Sequence, residues 1–280
     1  MNKLLFITLI VLLSQVLRAQ DVSLLTYNIK YDNPKDSINN WENRKTFLIS
    51  QLRFYSPDIF GTQEALFHQL QDIQIALKQY QFFGLGRKHG DEEGEHCAIF
   101  YNKNKVQLIS QNTFWLSQTP NRPSKGWDAA LNRICTYGVF QKKNSNDRFI
   151  VFNTHFDHVG KKARIESSKL ILKKIQKINT QKLPIILMGD FNLEMNTEGI
   201  RIILKELQDT NLAAGKNAFG PVGTFNGFHF HKPVTRRIDY IFSGKDDFTI
   251  LKSGILSDSK DCHYPSDHFP VYTELLFKNN

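Results

Sequence analysis

The sequence predicts an α/β fold in which two mixed β-sheets pack face to face with helices outside. Three observations carry this. Strand-like runs outnumber helical ones. Four of them, at 95–101, 106–116, 131–142 and 148–154, follow one another with no helix between, which a plain doubly wound sheet does not do. The run Leu183-Pro184-Ile185-Ile186-Leu187-Met188 is apolar throughout, the pattern of a strand buried on both faces.

The elements follow in order. Residues 21–29 read as a strand and lead into a loop rich in Asn, Asp and Pro. Residues 44–55 place Leu48, Leu52 and Tyr55 on one helical face, and Ser56-Pro57 ends the helix. A short strand at 58–62 precedes a helix at 64–79 with Leu66, Leu70, Ile73 and Leu77 inward. After the four consecutive strands comes the longest helix, 160–179, with Ile171, Ile175 and Ile178 on its apolar face. The buried strand 183–189, a helix at 197–207 and strands at 236–242 and 268–276 complete the chain. No linker, low-complexity segment or long repeat divides it, so one domain is expected over 20–280.

The first nineteen residues differ from the rest. Lys3 precedes an apolar run from Leu4 to Leu13, and Leu17-Arg18-Ala19 follows, the pattern of a signal peptide over 1–19. The run is well short of the ~20 residues that span a bilayer, so a secreted or periplasmic protein without a transmembrane segment is expected. Cleavage removes Lys3 and Arg18, lowering the net charge of +9 by two, to +7. A basic protein suits anionic partners, though charge alone is a weak argument. Three cysteines are too few for a disulfide framework, and no Cys/His spacing suggests structural zinc.

Function is written at the strand ends. Thr26-Tyr27-Asn28, Gln63-Glu64, Asn153-Thr154-His155, Gly189-Asp190-Phe191-Asn192, Arg237-Ile238-Asp239-Tyr240 and Ser266-Asp267-His268 each ride on or beside an apolar run. A buried strand has no structural use for Asp-Phe-Asn at its tip, and polar tips of strands that end together converge on one crevice. Carboxylates and amides there suit a hard cation such as Mg²⁺ or Mn²⁺, and imidazoles suit phosphoryl oxygens. Taken singly, Asn28 could satisfy a turn and Glu64 could favour a helix N-terminus.

In this order the clusters resemble the endonuclease/exonuclease/phosphatase superfamily over about residues 21–276. Asn40-Trp41-Glu42-Asn43-Arg44, Gly126-Trp127-Asp128-Ala129-Ala130, His155-Phe156-Asp157-His158 and Gly223-Thr224-Phe225-Asn226-Gly227-Phe228 are similar to a secreted bacterial branch. The resemblance implies a four-layer sandwich with the site at one end of the sheets, and it implies roles. Asn28, Glu64 and Asp267 would hold the cation, with Glu64 a direct ligand. Asp190 would orient or deprotonate the attacking water, and Asn192 would stabilise the pentavalent phosphorus; strand alternation about Phe191 would set both on one face. Asp239 would support His268, and Glu95 would support His155 from within hydrogen-bond reach. Arg133 would contact phosphate. Lys30 stands where some relatives carry a second carboxylate, which implies a leaner metal site. Trp41, Trp127, Asp157, His158, Phe225 and Phe228 are expected near the mouth as substrate contacts or as packing anchors for long loops.

The resulting expectation is a metal-dependent phosphoric ester hydrolase, acting as a monomer, with phosphodiester hydrolysis favoured. Nucleic acid, a phospholipid headgroup and a small phosphorylated metabolite cleaved as a monoester stay open as substrates. A non-catalytic module on the same fold is the competing class, and it is disfavoured because every residue of the constellation is present.

Overall fold

The structure is a computed structural model and describes residues 21–145 and 147–278. The signal peptide expected at 1–19 lies outside the described residues. Among the described residues, no helix is long and apolar enough to cross a membrane.

The strands are β1 (Asp21–Asn28), β2 (Ile59–Gln63), β3 (Tyr80–Phe83), β4 (Ile99–Asn102), β5 (Val106–Trp115), β6 (Ile134–Lys142), β7 (Arg148–His155), β8 (Ile185–Asp190), β9 (Leu207–Asp209), β10 (Ala218–Phe219), β11 (Asp239–Gly244), β12 (Phe248–Ile255) and β13 (Val271–Phe277). The helices are α1 (Trp41–Tyr55), α2 (Phe67–Ala76), α3 (Lys161–Ile178), α4 (Glu198–Glu206) and the single turn α5 (Thr210–Ala213). One sheet runs β10-β12-β13-β1-β2-β4-β3 and the other β5-β6-β7-β8-β11-β9. Both are mixed: β1 runs parallel to β2 and β7 parallel to β8, each pair flanked by antiparallel neighbours.

Three apolar layers make this a sandwich. Val22, Leu24, Ile59, Val151, Ile186, Met188, Ile241 and Leu275 fill the space between the sheets. Leu25, Tyr27 and Phe60 face the other way, against Leu48 and Leu52 of α1 and Leu70 and Ile73 of α2. Leu187, Phe152 and Phe242 meet Ile171 and Ile175 of α3 and Ile200 and Ile203 of α4. Because β8 sends alternate side chains into two different layers, its run from Ile185 to Met188 is apolar without interruption.

Several boundaries differ from the sequence expectation, each for a local reason. Helix α1 starts three residues early because the Asn40 side chain accepts the Asn43 N–H at 3.1 Å and caps it. Trp41 is therefore in the core, its Nε1 donating to Asp72 at 2.8 Å, and it does not border the mouth. Helix α2 starts at Phe67 rather than Glu64, since Glu64 has a left-handed backbone (φ 61°) and Ala65 bridges His96 instead. Strand β12 was not anticipated; Lys252 interrupts its apolar run where the register slips.

Candidate active site

Strand register assembles the crevice. Asn28 and Glu64 come from the carboxyl ends of the parallel pair β1 and β2, and His155 and Asp190 from the ends of the parallel pair β7 and β8. Asp190 stands opposite both His155 on one neighbour and Asp239 on the other. Beneath them the two sheets are bolted together by buried amides. Gln63 Nε2 donates to Asn153 Oδ1 at 2.6 Å, and Asn153 Nδ2 donates to the carbonyls of Thr62 and Ala98. Gly61 is required here, because a Cβ would lie 2.6 Å from the Asn153 side chain.

Asp190 is the hub. Its Oδ2 accepts the Asn28 amide at 3.0 Å and lies 3.4 Å from His155 Nε2 and 3.9 Å from His268 Nε2. Its Oδ1 accepts the Asn192 N–H at 2.9 Å. Asp190 and Asn192 face one site not through strand alternation, as the sequence implied, but because Asn192 turns back in the left-handed region (φ 49°) while Phe191 plugs the core. Burial, with the Asp239 charge added, pushes the Asp190 carboxyl up to about 7 against the pull of His268. A carboxylate poised there can take a proton from water at neutral pH.

The two imidazoles differ. His268 Nδ1 contacts Asp239 Oδ2 at 2.9 Å, as the resemblance implied. Burial opposes its charge, but Asp239, Asp190 and Asp267 outweigh burial and raise it to about 10, so it is an imidazolium. His155 has its Nε2 3.1 Å from the Asn192 amide nitrogen. Burial first, and then the nearby guanidiniums of Arg133 and Arg87, hold it well below its usual range, so it is neutral.

Glu95 does not support His155. It receives Arg87 Nη2 at 2.6 Å, and among the described residues no contact joins it to His155. It is not in the acidic surface loop either; burial, with Glu64 adding to it, raises its carboxyl to about 7 despite Arg87. The reason is local: Arg87 N–H bonds the Glu95 carbonyl at 3.0 Å across the 86–95 loop, which delivers the guanidinium to the carboxylate first.

On the metal side, Glu64 is kept ionised. Burial works against its charge, but Lys30, His268, the Asn28 amide (3.1 Å) and the Tyr31 N–H (3.3 Å) lower its pKa below the usual range. Asn28 was expected to help hold the cation. Its oxygen instead accepts the Lys30 N–H at 3.1 Å and its amide hydrogens face Glu64 and Asp190, so it ties two carboxylates together and offers no oxygen between them. The donor set that fits a hard cation is therefore Glu64 with Asp267, and a cation already sits there: Lys30 Nζ lies 3.8 Å from Glu64 and 4.0 Å from Asp267. Asp190, Asp239 and His268 also place ligand atoms within 4.8 Å of one another, but the Asp239–His268 bond occupies the imidazole nitrogen that faces Asp239.

At the rim, Arg133 is buried with Nη1 unpartnered, held by Asp157 (3.4 Å) and His158 (2.9 Å). Asp157 is a brace rather than a substrate contact. It is 1 % exposed and receives the N–H groups of Ala130, Leu131, Val159 and Gly160; these and Arg133 overcome burial and lower it to about 2. His158 is exposed beside Arg133. Trp127 (φ 47°) and Phe228 (φ 61°) are half-exposed on left-handed backbone, an uncommon conformation for aromatics and one that concentrates at functional sites. Asn226 and Gly227 N–H bond the Asp267 carbonyl, which sets Phe225 edge-on to His268 at 5.1 Å. Sequence reasoning missed Arg87 and Arg44. The Arg44 guanidinium holds the carbonyls of Ile29, Lys30 and Pro265, joining the Asn28 and Asp267 loops, and its place in Asn40–Arg44 was the available signal.

Comparison with known proteins adds the following. The Endonuclease/Exonuclease/phosphatase family matches residues 25–268. An endonuclease/exonuclease/phosphatase family protein from Bacteroides thetaiotaomicron is 37% identical, with a TM-score of 0.89 covering 94% of this chain and 100% of that one. A mannosyl-6-phosphatase from the same organism is 38% identical, with a TM-score of 0.86 covering 91% and 100%. The CCR4-Not complex 3'-5'-exoribonuclease subunit Ccr4 of Mycosarcoma maydis is 23% identical over 93% of this chain and 51% of its own length. The chain spans about half to three fifths of the length of the curated relatives it matches first.

Proposed function

The chain belongs to the endonuclease/exonuclease/phosphatase family and is a hydrolase of that family, and from that premise we propose a metal-dependent phosphoesterase that cleaves a phosphomonoester of a small, sugar-like molecule. One observation carries the reading. A buried carboxylate able to act as a base, Asp190, lies between a charged imidazole and a neutral one, with a carboxylate pair for a cation alongside.

The roles follow from that geometry. His268, charged and fixed by Asp239, neutralises a phosphoryl oxygen. Asp190 takes the proton of the attacking water, and Asn28 and Asn192 hold its two oxygens in place. Asn192, its amide nitrogen 3.1 Å from His155 Nε2, would turn that amide to the charge developing on the phosphoryl oxygens. Neutral His155, 3.4 Å from Asp190, offers a hydrogen bond rather than a charge, while Arg133 presents its free Nη1 to a terminal phosphate oxygen. A Mg²⁺ or Mn²⁺ held by Glu64 and Asp267 would supply Lewis-acid stabilisation of the leaving oxygen.

The sequence favours a diester. The monoester is supported instead by likeness at 38% identity to a mannosyl-6-phosphatase whose whole length is covered, whereas the exoribonuclease likeness is at 23%. It is supported too by the unpartnered Nη1 of Arg133 near His155, since a terminal phosphate carries one charge more than a diester and offers it another oxygen. Trp127, Phe228 and His158 border the leaving group. Residues 1–19 act as an export signal for a single catalytic domain beginning near residue 20, which works as a monomer in the periplasm or outside the cell.

The test compares p-nitrophenyl phosphate, bis(p-nitrophenyl) phosphate and mannose 6-phosphate, with Mg²⁺, Mn²⁺ or excess EDTA. The expected result is monoester cleavage that EDTA abolishes and either ion restores. A higher kcat/KM for the diester would overturn the monoester assignment, and full activity in excess chelator would overturn the metal.

A further inference from the structure

Lys30 is built into the site with more effort than a surface lysine requires. Its backbone is left-handed (φ 57°), which a non-glycine residue adopts only when its surroundings enforce it. Three bonds enforce it here: its N–H donates to Asn28 Oδ1 at 3.1 Å, and its carbonyl accepts Arg44 Nη2 and Gln69 Nε2, the latter at 3.0 Å. Gln69 is fully buried and Arg44 nearly so. What this aims is the ammonium, 3.8 Å from Glu64 Oε2, 4.0 Å from Asp267 Oδ2 and 4.3 Å from the centre of the Tyr31 ring.

We propose that Lys30 is a resident counter-ion of the metal site, which holds Glu64 and Asp267 together without a divalent ion and opposes the binding of one. The inference rests on the reading of Glu64 and Asp267 as the cation's ligands. Two carboxylates facing one another across a mostly buried crevice repel, and an ammonium between them cancels most of that repulsion. A divalent ion entering the same space removes the need for the ammonium and is itself repelled by it. The distances, longer than a tight ion pair, leave Nζ free to withdraw toward Tyr31 and solvent. The consequence is a site that takes a single divalent ion, reversibly, and stays folded without it.

The experiment is calorimetric titration of the chelator-stripped protein with Mn²⁺ alone, beside thermal melting in EDTA and in saturating Mn²⁺. Wild type should bind one Mn²⁺. Lys30→Met should bind it at least about tenfold more tightly, since one like charge at close range is gone. In EDTA the same variant should melt below wild type, and saturating Mn²⁺ should close or reverse that gap. Lys30→Arg, which keeps the charge, should follow wild type; Lys30→Gln, uncharged and polar, should follow Lys30→Met and replaces it if that variant fails to fold. Unchanged or weaker Mn²⁺ binding in the uncharged variants, while wild type binds normally, would overturn the counter-ion and leave the metal reading standing. Absence of Mn²⁺ binding in wild type and variants alike would overturn both.

Discussion

His155 and His268 both approach one carboxylate, 3.4 and 3.9 Å from the same Asp190 oxygen, yet their surroundings leave one neutral and the other charged. Around His268 the fold places three aspartates, and one of them bonds Nδ1 at 2.9 Å. Around His155 it places two arginines, and the glutamate that could have paired with the imidazole pairs with Arg87 instead. Both rings are almost fully buried, so desolvation acts on each alike, and the neighbouring charges decide the outcome. Two copies of one residue type thus do different work: one is a fixed cation and the other a neutral hydrogen-bonding group.

The largest effect should come from removing what the two sides share. Asp190→Asn and His268→Ala should each lower turnover by about 10²–10⁴-fold or more with the circular dichroism spectrum unchanged, and the double variant should lose little beyond the worse single one. A near-normal rate for Asp190→Asn on any substrate would break the comparison at its centre. Next is Asp239→Asn. The His268 ring should then titrate well below its present value of about 10 in NMR spectra, and turnover should fall by about 10–100-fold. His155 signals should stay where they are.

A smaller effect separates the structure from the sequence expectation. Glu95→Gln should keep turnover within about fivefold of wild type, the scale of a lone ion pair, because it unbinds Arg87 and not His155. A loss as large as that of Asp239→Asn would restore the symmetrical pairing.

The smallest effect is on stability against pH, measured as denaturant midpoints in chelator. The His268 pKa is raised on folding, so its contribution is complete below its unfolded value near 6.5 and is lost as pH rises through about 10. His155 is lowered on folding, so the unfolded chain binds the extra proton, and stability falls as pH drops below about 6.5. His155→Gln should flatten only the acid side of the profile, and His268→Gln only the alkaline side. The reverse pattern would mean the charges are exchanged.

Much of this was legible in the chain. The uninterrupted apolar run from Ile185 to Met188 marked a strand covered on both faces, and the polar strand tips marked the residues that meet: Asn28, Glu64, His155, Asp190, Asp239 and His268 all line one crevice. The misplaced features were those decided by contacts distant in sequence. The Ala65–His96 bridge and the unanticipated β12 depend on partners that no local period reports. Side-chain pairing was the least legible of all. Glu95 can satisfy either a histidine or an arginine, and Asn28 can offer oxygen or nitrogen; their types are equally suited to both. Only the packed sheets, which set Arg87 at 2.6 Å and turn the Asn28 amide toward two carboxylates, chose between them. The sequence by itself determined which residues gather, because burial pattern is a property of each strand. The tertiary structure decided who bonds whom and which groups are charged, because electrostatic energy depends on distances that exist only once the sheets are packed.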